Sequence, residues 1–187
     1  MKSKLFFFTL LPGTIFVLLF FFNSCDLLSA KNKNSGSVEK THQPDSLGYK
    51  IPQPKGWVND FENIYSASEK KYLDSLLSAY EKNTTNEIAV ITVDSTMVDE
   101  NNFDDYIFNV AKNWKIGKVQ KNNGSLIGIS RQFQSIRIEN GDGIAVKLSD
   151  EQTKNIIDSV FIENFKRGEF FEGTKEGILA MMKKINN

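Results

Sequence analysis

Two short runs constrain this chain more than anything else in it. Glu87-Ile88-Ala89-Val90-Ile91-Thr92-Val93 and Ser125-Leu126-Ile127-Gly128-Ile129-Ser130 are apolar on both of the faces a strand would present. Their β-branched content suits strands, and a strand apolar on both faces must be covered on both. Between them, Phe103 to Trp114 places Ile107, Val110, Ala111 and Trp114 on one side of a helix. A helix between two doubly buried strands predicts a parallel pair joined by a right-handed crossover.

The remaining patterns supply the covering layers. Tyr72, Leu73, Leu76, Leu77 and Tyr80 recur at helical spacing, and Ser66 with Glu69 has capping-box spacing. That helix is expected to end near Asn83. Ile136 and Ile138 alternate with Arg137 and Glu139, a strand with one wet face, linked to the preceding strand by a short hairpin at Gln132-Phe133. Ser149 with Gln152 repeats the capping-box spacing before a helix carrying Ile156, Ile157, Val160, Phe161 and Phe165. A last helix carries Ile178, Leu179, Met182 and Ile185, and Phe170-Phe171 before it reads as core in preference to an exposed contact patch. The predicted class is α/β: a three-layer α/β/α sandwich with a small mixed β-sheet flanked by helices on both faces.

The N-terminal end has a different composition. Lys2 and Lys4 precede an apolar run from Leu5 to Phe22, followed by Asn23-Ser24-Cys25. A basic start, an apolar stretch and a small residue before the only cysteine describe a lipoprotein-type signal over residues 1–24, with Cys25 as the lipidated residue. The alternative is an uncleaved transmembrane helix, for which roughly 20 apolar residues are needed. Both readings place the domain outside the cytoplasm, tethered to a membrane. Residues 25–55 read as a flexible linker, being polar and then proline-rich, and the domain is expected over residues 56–187. The single histidine, His42, lies in that linker and reads as solvated. Residues 1–24 carry two lysines and no acid, leaving 21 basic residues against 23 acidic ones. A near-neutral domain lacks the clustered basic surface that nucleic acid requires.

Acidic and amide side chains stand at the joints between elements. Asp94 ends the first buried strand, Asn122 and Asn123 precede the second, and Glu139 lies near the end of the third. Asp150 opens the following helix, and Asp60 follows the extended Trp57-Val58-Asn59. Open α/β sheets place sites at carboxyl ends of strands. Oxygen donors without thiol or imidazole suit a hard cation, calcium or magnesium, and disfavour zinc. Each residue also has a structural reading. Asp150 suits a helix N-terminus, Asp94 a strand end, Asn123-Gly124 a turn, and Glu139 a pair with a neighbouring cation. Gly141-Asp142-Gly143 reads as a turn requiring positive φ at glycine.

The order Asn113-Trp114-Lys115-Ile116-Gly117, a polar loop, Asn123-Gly124 before an apolar strand, Arg137-Ile138-Glu139-Asn140-Gly141, then Ser149-Asp150 resembles the TPM domain family. That family includes plant thylakoid-lumen and bacterial envelope members. The resemblance covers roughly Trp57 to Ile185 and implies the same α/β/α sandwich. It implies divalent-cation binding, often calcium, with Asp60 and Asp150 as acidic positions and Asn122 where an aspartate is common. The candidate ligands are therefore Asp60, Asp94, Asn122, Glu139 and Asp150. The family has been described as a phosphatase. With no cysteine or histidine in the domain, only a metal-dependent route to phosphomonoester hydrolysis is left. The competing expectation is an accessory module of the cell envelope that binds a cation, or a metal-independent protein-interaction module.

Overall fold

The computed structural model describes residues 48–187. The signal, Cys25, His42 and most of the linker fall outside these residues. Four strands form one sheet in the order β1-β2-β3-β4, where β1 is Val58–Asp60, β2 Glu87–Thr92, β3 Gly124–Ser130 and β4 Ser135–Asn140. β1 and β2 are parallel, as are β2 and β3, and β4 runs antiparallel to β3. The sheet is mixed, and the two doubly apolar runs are its central strands. Helix α1 (Ala67–Thr84) connects β1 to β2, and α2 (Phe103–Trp114) connects β2 to β3. After β4 come α3 (Asp142–Ala145), α4 (Asp150–Ile156), a π-helical turn over Ile157–Phe161, α5 (Ile162–Phe165) and α6 (Phe170–Ile185).

Two cores lie on the two faces of the sheet, as the strand alternation dictates. Ile88, Val90, Ile127 and Ile129 pack with Leu73, Leu77 and Tyr80 of α1 and with Phe161, Ile178, Met181 and Ile185. Ala89, Ile91, Val93 and Leu126 pack with Phe103, Tyr106, Ile107 and Val110 of α2. This is the three-layer sandwich. Local signals hold where the chemistry is local. Both capping boxes form, Ser66 with Glu69 and Ser149 with Gln152. The hairpin differs: its link is Arg131–Gln134, four residues with Gln134 at φ 51°. Phe170 and Phe171 are partly buried against the core, at the start of α6.

The linker expected over residues 25–55 ends sooner. Tyr49 and Ile51 pack on the α2 side of the domain. The Trp114 indole donates to the Pro52 carbonyl at 2.6 Å, and the Asn109 amide donates to the Tyr49 hydroxyl at 2.9 Å. Two apolar side chains and a part-buried indole donor find partners there, which outweighs the ordering cost of this short segment. Among the described residues, no helix is long and apolar enough to cross a membrane.

One core group is badly served. The Tyr106 hydroxyl is buried and has no hydrogen-bond partner among the described residues. Removing an unsatisfied buried hydroxyl is neutral to favourable, so Tyr106→Phe is expected to gain about 1 kcal/mol in chemical denaturation. Burial also drives the phenols of Tyr65, Tyr80 and Tyr106 to hold their protons above the ordinary value of 10. The unfolded chain ionises near 10, whereas the folded chain resists ionisation. Stability is therefore fully present below that pH and is lost as pH climbs through the raised values. Tyr106→Phe should flatten this alkaline loss, read as melting temperature between pH 9 and 11, on either side of the ordinary tyrosine value of about 10.

Candidate functional site

The five sequence candidates occupy two opposite ends of the sheet. Asp60 ends β1 and pairs with Thr92, while Asn122 lies just before Gly124, which pairs with Glu87. Five strand residues separate those levels, roughly 16 Å at 3.3 Å per residue.

At the carboxyl end of the parallel strands, the acids are consumed by backbone donors. Asp60 accepts from the Thr92 hydroxyl at 2.7 Å and from the amides of Ile64 and Tyr65 at 3.1 and 3.0 Å. It thereby folds the turn that leads into α1. Asp94 accepts from the amide and hydroxyl of Thr96, closing its own loop. Glu62 accepts from the amides of Arg131 and Gln132, and Gln132 in turn accepts from the Ser95 amide. These side chains stitch three loops together.

The other end is built differently. Asn123 is buried and satisfied: its amide donates to the Thr85 carbonyl and to Asn86, and its oxygen accepts from the Lys118 amide. Its neighbour Asn122 has φ 44°, which turns its side chain outward to donate to Asp142 at 3.1 Å. Asn122, Glu139 and Asp142 line one open cavity of about 350 Å³, together with Lys112 and Lys115 of α2. Glu139 is held there by the Arg137 guanidinium, which also reaches Asp104 at 3.5 Å. Asp150 is the exposed first residue of α4. The Asn140 amide donates to the Thr153 hydroxyl at 2.9 Å, which seats the first turn of α4 against this end of β4.

Gly141 and Gly143 are needed here for close approach. A Cβ on Gly143 would lie 2.0 Å from the Lys121 carbonyl oxygen, and one on Gly141 would lie 2.3 Å from that of Asn122. Gly141 has φ −68°, so the positive-φ turn expected at Gly141-Asp142-Gly143 is not formed. The glycines instead let the 121–122 backbone lie on the start of α3, with the Gly143 amide donating to the Asn122 carbonyl at 3.0 Å. Asp142, passed over in the sequence as a turn residue, is brought to the cavity by this contact.

The fit to a hard cation is chemical. The donors are carboxylate and amide oxygens from three segments, the loop before β3 (Asn122), the end of β4 (Glu139) and the start of α3 (Asp142), the kind of set calcium tolerates. Among the described residues, no three His, Cys, Asp or Glu side chains form a ready-made metal cage. Protein donors there would be few, with water completing the shell.

A mixed four-stranded sheet with helices on both faces, carrying a mixed polar and apolar cavity beside a Gly-x-Gly crossing, defines a small α/β domain class. The TPM domain profile matches residues 58–184, and the chain belongs to that family. Among solved structures, it is similar to the N-terminal domain of a protein from P. gingivalis. That likeness has 26% identity and a TM-score of 0.61, covering 70% of this chain and 82% of that one. It is also similar to the BA42 protein of the psychrophilic bacterium Bizionia argentinensis, at 27% identity and a TM-score of 0.54 over 67% and 83% of the two chains. The N-terminal domain of the cg2496 protein of Corynebacterium glutamicum shares the fold at 10% identity, with a TM-score of 0.50 over 70% and 78%. No curated protein matches the chain.

Proposed function

We propose that this TPM-domain chain is a membrane-tethered accessory module of the cell envelope that binds a divalent cation, calcium in preference to magnesium. The observation that carries the reading is that Asn122, Glu139 and Asp142, three residues with oxygen donors, line one cavity. Asp150 adds negative charge at the same end of the sheet. The tether rests on the basic and apolar stretch before Cys25.

A second reading is favoured by Lys112 and Lys115, which line the same cavity. Ammonium groups beside carboxylates suit a phosphomonoester whose charge is shared between lysine and a bound ion. A divalent ion there would supply a Lewis acid and a water of lowered pKa. The chain itself would orient the phosphate through the two lysines. On this reading, hydrolysis of a generic phosphomonoester is slow, is abolished by chelator, and shows a raised KM in Lys112→Ala/Lys115→Ala.

The test of the first reading is thermal. A ligand bound only by the folded chain stabilises it by about 2.7 kcal/mol at a hundredfold excess over Kd. Calcium added to the chelator-treated chain should raise the melting temperature accordingly. Glu139→Gln/Asp142→Asn should abolish the gain. A gain that persists in the double variant would remove the site from this cavity, and no gain with either ion would leave a plain interaction module.

A further inference from the structure

β4 is an edge strand, hydrogen-bonded in the sheet only to β3. The Gly141 amide donates to the Gly124 carbonyl, which fixes the parity of the ladder. Odd-numbered residues of β4 therefore bond β3, and Ile136, Ile138 and Asn140 point their backbone groups away from the sheet. Among the described residues, none of their amides donates to a protein acceptor across that edge. Natural sheets blunt such an edge with charge or cover it.

The charges on this edge select a partner. An added antiparallel strand must pair even residues with even residues to satisfy both backbones. For a second copy of β4, centring the pairing on Ile138 sets Ile136 against Asn140 and Ile138 against Ile138. Arg137 of each copy then stands opposite Glu139 of the other, on the same face, in the closer non-hydrogen-bonded position. The adjacent allowed registers centre on residue 137 or 139. They oppose Arg137 to Arg137 or Glu139 to Glu139, which is destabilising. Of the two registers that pair five residues of each strand, centred on 137 and on 138, only the one centred on Ile138 avoids opposing like charges.

We propose that β4 is the seam of an isologous homodimer, two copies pairing antiparallel about Ile138 into one continuous sheet. The occupant is a second copy because the Ser-Ile-Arg-Ile-Glu-Asn strand is complementary to itself. The inference does not depend on bound cation.

The experiment is sedimentation of the full chain in density-matched detergent with chelator present, over a concentration series. Wild type should show a concentration-dependent dimer. Arg137→Glu and Glu139→Arg each place like charges across the seam, and each should weaken dimerisation more than tenfold. Mixed one to one, the two variants should dimerise again, because each then meets its complement. The double swap R137E/E139R should pair with itself and not with wild type, and it carries the test if a single variant fails to fold by circular dichroism. A wild type monomeric at every concentration, single variants that dimerise like wild type, or a mixture that stays monomeric would each overturn the proposal.

Discussion

Gly177→Ala is expected to destabilise the domain by about 3 kcal/mol, the upper part of the usual overpacking range. In an exposed helix the same change would help by up to about 1 kcal/mol, because glycine is a poor helix former. Here α6 uses Gly177 as a notch. A Cβ at that position would lie 2.2 Å from two ring carbons of Phe161. Phe161 is fully buried, at the end of the π-helical turn, and stacks edge-on with Phe165. The ring cannot retreat without moving that turn. Shrinking the ring should relieve the overlap, so Gly177→Ala/Phe161→Leu is expected to be less destabilised than the two single losses added together. Chemical denaturation of the four proteins gives the coupling directly. Full additivity would mean that the notch does not receive the ring.

Asp60→Ala is expected to lose about 3 kcal/mol, whether or not cation is present. Its carboxylate accepts three hydrogen bonds, two from backbone amides that have no other acceptor in the turn. Bonds to a charged acceptor and stranded donors each carry about 1–3 kcal/mol. Equal losses in chelator and in calcium would establish that Asp60 builds the turn. A loss confined to calcium would make it a ligand. This separates Asp60 from Glu139 and Asp142, whose replacement should matter chiefly when ion is bound.

The parts of the fold legible in the sequence are those written locally. Ser66 and Ser149 each sit three residues before an acid or amide, and both cap as that spacing requires. The doubly apolar runs announce central strands, and Phe103 to Trp114 is the helix between them to the residue. Tyr72 and Leu179 lie on apolar stripes yet are about half exposed, because a stripe is wider than the contact it makes. β1 is only three residues long, and its place at the edge beside β2 is set by Asp60 reaching Thr92, a contact no local pattern carries.

The candidate site was legible in kind and not in place. Oxygen donors at element joints are visible in the sequence, but which end of the sheet each joint occupies depends on strand direction. β4 runs antiparallel, so Glu139 returns to the end where Asn122 begins β3, far from Asp60 and Asp94. Asp142 was hidden because its neighbours look like turn glycines. Their role is to admit the carbonyls of Lys121 and Asn122, residues some twenty positions away. Gly-x-Gly following an alternating strand is the pattern that could have revealed it.

Amide chemical-shift mapping during a calcium titration of the chelator-treated chain locates the cation. Saturable shifts are expected at Lys121–Gly124 and Glu139–Gly143, with Asp60–Tyr65 and Thr92–Thr96 undisturbed. Shifts centred on Asp60 and Asp94, or none at saturating ion, would contradict this placement.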